Sequence, residues 1–198
     1  LARCARAERR AGDLVVRAPG RAAEDAAPLT DVVPTDAELV ALAERVGAAC
    51  RARGWTIGTA ESCTAGLVAH VITEVAGSSD YFCGGLVIYA DDVKVAVGDV
   101  PAATLAAHGA VSAQVAVAMA EGVRRRLGVD IAVAITGIAG PGGGTDAKPV
   151  GLTYIAVADD SGDAVRRFVW PFDRSGNKRA SALAALPLVA ERFAVPRP

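Results

Sequence analysis

Histidine, lysine, methionine and aromatic residues are all scarce in this 198-residue chain. Its two histidines, His70 and His108, exclude H-E-x-x-H and other multi-histidine metal centres. Its four cysteines, Cys4, Cys50, Cys63 and Cys83, include no C-x-x-C pair, so neither a zinc site nor a disulfide framework is expected. No metal and no cofactor are therefore expected. No apolar run approaches the ~20 residues that span a bilayer, and no secretory segment is visible. A net charge of −1 lacks the basic footprint of a nucleic-acid binder. These absences lead to the expectation of a soluble, cytoplasmic protein whose partners are neither nucleic acid nor membrane. They leave the oligomeric state open, with a homo-oligomer allowed.

Lysine is the informative shortage. Of 21 basic residues, 18 are arginine and only Lys94, Lys148 and Lys178 are lysine. Arginine stays charged at any working pH, whereas a buried lysine can be tuned to act as a base. Each surviving lysine is thus a candidate for a position that requires an amine. Chance placement on a solvated face is the competing reading.

What is present is an ordinary globular composition, 52% hydrophobic and 22% charged, long enough to bury a core. Residues 1–33 show no sustained period and read as a flexible Arg- and Ala-rich tail, with the domain at 34–198. Thr35 and Glu38 have capping-box spacing, and Leu39, Leu42, Ala43, Val46 and Cys50 follow at helical intervals. Trp55–Ala60 reads as a strand, 61–66 as a sharp turn, Leu67–Val75 as a buried helix and Cys83–Tyr89 as a second strand. Ser112 caps a helix from Ala113 to Leu127 that Gly128 ends. Asp130–Thr136 is an apolar run of the kind buried in parallel sheets. Val150–Ala158 and Ala164–Trp170 flank a turn as a hairpin, and a last helix covers roughly Asn177–Phe193. The alternation predicts the α/β class: a three-layer α/β/α sandwich on a mixed, mostly parallel sheet.

Ser62 stands where a strand feeds a helix. It fits a helix cap, and it fits a nucleophile beside helix-start N–H groups that could stabilise an oxyanion. The G-x-S-x-G elbow is absent, since positions 60 and 64 are Ala and Thr. Cys63 is a rival nucleophile, although such a neighbour also fits a small buried hydrophobe. With no histidine in a recognisable context, the base would be a lysine, which acts so only when burial favours its neutral form at a cost of about 4 kcal/mol. Lys94 follows Tyr89 at Y-x4-K, one residue longer than the Y-x3-K of short-chain dehydrogenases. The 137–145 loop is glycine-rich but matches neither G-x-G-x-x-G nor a Walker A loop. Its N–H groups can still face a phosphate or carboxylate; Asp173-Arg174 and Lys178-Arg179, before the last helix, are candidate phosphate ligands, and a solvated helix start fits them equally.

Three blocks carry a resemblance: TAESCTAG with Y-x4-K downstream, GAVS leading into a helix with MAEG, and TGIAGPGGGT followed by KPVG. Together they resemble the C-terminal domain of competence-damage-inducible protein CinA over about residues 35–194. That family includes stand-alone nicotinamide-nucleotide amidohydrolases. The resemblance implies conversion of nicotinamide mononucleotide to nicotinate mononucleotide and ammonia, in pyridine nucleotide salvage. It places the family's serine on Ser62, its tyrosine on Tyr89 and its general-base lysine on Lys94. It implies that the phosphoribosyl part meets Thr136, Gly137, Gly140, Gly142, Gly143, Arg174 and Lys178. The alternative is a non-catalytic nucleotide-binding or protein-interaction domain of the same family. The chain departs from the family pattern at Ala90-Asp91, where Ser-Asn is common, and at Lys178, often Arg.

Overall fold

The computed structural model describes residues 24–27 and 30–194. Its strands are β1 (Glu24–Asp25), β2 (Ile57–Glu61), β3 (Phe82–Val87), β4 (Ile131–Gly137), β5 (Leu152–Asp159) and β6 (Gly162–Val169). They form one sheet in the order β1-β6-β5-β4-β2-β3. β2 pairs in parallel with β3 and β4, and β1 with β6, while β4–β5 and β5–β6 are antiparallel. The helices are α1 (Asp36–Arg53), α2 (Leu67–Thr73), α3 (Asp91–Ala96), α4 (Ala102–His108), α5 (Ala113–Leu127) and α6 (Arg174–Ala194).

Strand alternation decides which helix lies where. Ile131, Val133 and Ile135 of β4 point into the core shared with α1, α2 and α6. Ala132 and Ala134 point the other way, with Ala156 and Ala158 of β5, against Val115, Met119 and Val123 of α5. Large side chains on one face and alanines on the other let α5 lie close to the sheet. Each fully buried Ile or Val contributes about 1.5–3 kcal/mol. The result is the three-layer α/β/α sandwich on a mixed, mostly parallel sheet. Gly122 marks a second close approach of α5, to the segment after α3, because a Cβ there would run into the Gly98 carbonyl.

Helix boundaries follow the local chemistry. Thr35 and Glu38 form a reciprocal capping box at α1, and Gly54 ends that helix in the left-handed conformation. Ser112 accepts from Val115 N–H at the start of α5. Within the segment read as a tail, Glu24–Asp25 pairs with Arg166–Arg167 as an edge strand, and Arg167 reaches the Asp25 carboxylate at 3.0 Å. Two residues are too few to show a period. The rest of that reading, at 1–23, 28 and 29, lies outside the described residues. No described helix is long and apolar enough to cross a membrane.

Candidate active site

The carboxyl ends of the three parallel strands β4, β2 and β3 meet at one edge of the sheet, the place where open α/β sheets hold ligands. Ser62 follows β2, Tyr89 lies two residues past β3, and the glycine-rich loop leaves β4. A cavity of about 240 Å³ there is lined by Ser62, Tyr89, Lys94, Thr136, the glycine-rich loop and Arg174. The loop supplies Gly137, Gly140, Gly142 and Gly143 to that wall. Lys178 stands apart from it and lines an adjoining chamber of about 660 Å³, with Phe172, Val150 and again Arg174.

Lys94 is buried, with only 1% of its surface exposed. Long helical side chains lean toward the helix N-terminus, and from the last turn of α3 the amine returns to the strand end. Its Nζ donates to the Tyr89 carbonyl at 2.7 Å and lies 3.5 Å from Asp91 Oδ1, a side chain 64% exposed. These two acceptors match the two hydrogens of a neutral amine, whose lone pair is then left for the cavity. Asp91 is thus within ion-pair distance of this amine and lines the cavity.

Tyr89 meets Lys94 through its backbone carbonyl. Its hydroxyl instead accepts from Arg174 Nη2 at 3.2 Å, and Nη1 of the same guanidinium donates to the Gly140 carbonyl at 2.8 Å. Arg174 is therefore a strut between the tyrosine and the glycine-rich loop. Thr136 spends its hydroxyl on the Ala110 carbonyl at 2.7 Å, tying that loop's strand to the opposite wall. Lys148 makes a second tie across the same walls, its Nζ donating to the His108 carbonyl at 2.9 Å. Arg179, a candidate anion ligand, turns away to the Asp36 carboxylate at 2.7 Å. Asp173 caps α6 by accepting from Gly176 N–H.

Ser62 is buried, and its N–H donates to the Ile135 carbonyl at 3.0 Å. It is not the cap of α2. Gly66, at φ 92°, holds that position, after Ala65 at φ 55°. The first N–H groups of α2 are occupied by a residue the sequence reading did not single out. The Glu61 carboxylate accepts from Gly66, Val68 and Ala69 at 2.9–3.1 Å. The expectation that this helix start serves an oxyanion is corrected accordingly, since those donors already face a carboxylate. Burial pushes the Cys63 thiol up to about 12, outweighing nearby N–H groups that lower it. It stays protonated at neutral pH and is a poor nucleophile. Asn177 is a further residue missed from sequence: buried in α6, it donates to the Ala139 carbonyl and accepts from Phe172 N–H, fixing the loop to the helix.

A model of the CinA C-terminal domain matches residues 39–193. Nicotinamide-nucleotide amidohydrolase PncC of Escherichia coli K12 is 46% identical over 160 residues, covering 80% of this chain and 97% of PncC. A CinA-like protein of Rippkaea orientalis is 44% identical over 196 residues, covering 92% of this chain and 47% of its own length. The chain spans less than half the length of the CinA-like relatives it matches. The crystal structure of competence/damage inducible protein CihA from Agrobacterium tumefaciens superposes with a TM-score of 0.76 at 38% identity. That superposition covers 82% of this chain and 98% of the other. Sequence, fold and domain model agree: the chain belongs to the CinA C-terminal domain family.

Proposed function

We propose that this domain hydrolyses the carboxamide of nicotinamide mononucleotide to nicotinate mononucleotide and ammonia. The observation that carries the reading is the meeting of Ser62, buried Lys94 and Tyr89 in one small cavity beside a larger cationic chamber. The similarity to PncC over nearly the whole of that enzyme supports the choice of substrate.

The chemistry is acyl transfer. Neutral Lys94 takes the Ser62 hydroxyl proton as Oγ bonds to the amide carbon. The resulting ammonium returns that proton to the departing nitrogen, and the C–N bond breaks to release ammonia. Water, deprotonated by Lys94, then attacks the acyl-serine carbonyl, the ester C–O bond breaks to free the acid, and the Lys94 ammonium returns the proton to Ser62 Oγ. The carboxamide end enters the small cavity, and the phosphoribosyl end extends past Arg174 toward Lys178. Lys178 and the remaining N–H donors of Arg174 both line the larger chamber and receive the phosphate.

The test is initial-rate ammonia release from nicotinamide mononucleotide, nicotinamide riboside and free nicotinamide. The expected order of kcat/KM is mononucleotide well above riboside, and riboside above nicotinamide. Loss of the phosphate is expected to cost at least tenfold, since a charge-assisted contact contributes roughly 1.5–3 kcal/mol. Equal rates on all three would remove the nucleotide assignment.

A further inference from the structure

Glu61 is 1% exposed, ends β2 and immediately precedes Ser62. No lysine or arginine pairs with its side chain among the described residues, although a buried carboxylate costs several kcal/mol unless compensated. Its compensation is the start of α2. Oε2 accepts from Gly66 N–H at 3.0 Å and Val68 N–H at 3.1 Å, and Oε1 accepts from Ala69 N–H at 2.9 Å. These charge-assisted bonds also engage the positive end of the helix dipole.

The five residues between strand and helix are thereby clamped from both sides. On the sheet side, Ile88 N–H donates to the Glu61 carbonyl at 2.9 Å and Ser62 N–H to Ile135 at 3.0 Å. On the helix side the Glu61 carboxylate holds Gly66, and within the turn Ala65 N–H, at a residue with φ 55°, donates to the Ser62 carbonyl at 3.1 Å. An L-residue there costs about 1–2 kcal/mol, so something must hold it. We propose that Glu61 is the positioning residue of Ser62: its carboxylate, bonded to the first N–H groups of α2, sets the turn that presents the serine to the cavity.

The inference rests on the amidase reading for its turnover and product-binding arms, and not for its labelling arm. Three measurements are made on wild type, Glu61→Gln and Glu61→Asp: kcat and KM for ammonia release, the rate of Ser62 phosphonylation by a fluorophosphonate, and nicotinate mononucleotide binding alongside the thermal midpoint. Gln keeps one acceptor but turns an NH2 toward backbone donors. Its kcat is expected to fall on the order of 100-fold, the cost of about 1 Å of misplacement. KM and product binding should stay within about threefold, and phosphonylation should slow in parallel with kcat. Asp, which keeps the charge, should retain more labelling than Gln. A folded Gln variant that labels and turns over at the wild-type rate overturns the proposal. So does a change confined to KM, or loss of fold in both variants, which would make Glu61 a stability residue alone. If wild type releases no ammonia, the substrate assignment fails, and the labelling rates still decide the role of Glu61.

Discussion

At the scale of single residues, the choice of base and nucleophile rests on burial and on which atoms face the cavity. Lys94 anchors to the Tyr89 carbonyl and the Asp91 carboxylate, contacts that a guanidinium could also make. An arginine at position 94 would keep the positive charge and could not accept the serine proton. Lys94→Arg is therefore expected to lower kcat by about 10²- to 10⁴-fold, the range for general acid–base catalysis, in a protein that still folds. Steady-state rates read beside circular dichroism check this. Cys63 presents the opposite case. Burial pushes its thiol up to about 12, so the native protein should resist iodoacetamide at Cys63 at pH 8. Cys63→Ala should retain most of kcat and lose on the order of 1 kcal/mol of stability. Loss of turnover in that variant, without unfolding, would return the nucleophile role to the thiol.

At the scale of elements, the β5–β6 hairpin is clamped to the end of α6. Arg192 forks onto the Asp159 carboxylate with Nε at 2.9 Å and Nη2 at 2.8 Å, and Ser161 donates to the same group. Burial alone would raise the Asp159 carboxyl, but these hydrogen bonds outweigh it and hold it below the ordinary carboxylate range. A lowered folded-state value means the contribution is complete above the unfolded value of about 3.9 and is lost as pH falls through the lower folded one. Asp159→Asn should cost about 3 kcal/mol at pH 7, because it leaves Arg192 half-buried without its charge partner. The gap to wild type should narrow below about pH 4 in thermal scans; a constant gap down to pH 2 would contradict the clamp.

The elements were legible in sequence where periodicity, caps and apolar runs agreed. The helix Ala113–Leu127 begins and ends as read, because Ser112 and Gly128 mark both ends. The turn-linked hairpin and the β4 strand were also visible, shifted by one or two residues. Other features left no such mark. β1 is too short to show a pattern, and α3 is a six-residue helix whose value lies in aiming Lys94 backward. Glu61 sits at the end of an apolar strand, where a carboxylate reads as the start of a solvated turn. Its role depends on backbone N–H groups five to eight residues away. Arg174 and Lys178 looked equivalent in sequence. Only the fold shows that Arg174 spends both its ends on Gly140 and Tyr89.

At the scale of the whole molecule, the parallel part of the sheet sets the site. β4, β2 and β3 run the same way, so their carboxyl ends deliver the glycine-rich loop, Ser62 and Tyr89 to one edge. The antiparallel hairpin and β1 extend the sheet away from that edge, where they add core and no chemistry. The N-terminal end of α6 then brings Arg174 to the cavity and Lys178 to the chamber beside it. The central claim is that this convergence makes Ser62 the nucleophile of an amidase. Its most direct measurement is the initial rate of ammonia release from nicotinamide mononucleotide by wild type and Ser62→Ala side by side. The expected result is steady release of ammonia by wild type, matched mole for mole by nicotinate mononucleotide, and release at the uncatalysed background from a Ser62→Ala protein with an unchanged thermal midpoint. Comparable turnover by the two proteins would contradict it.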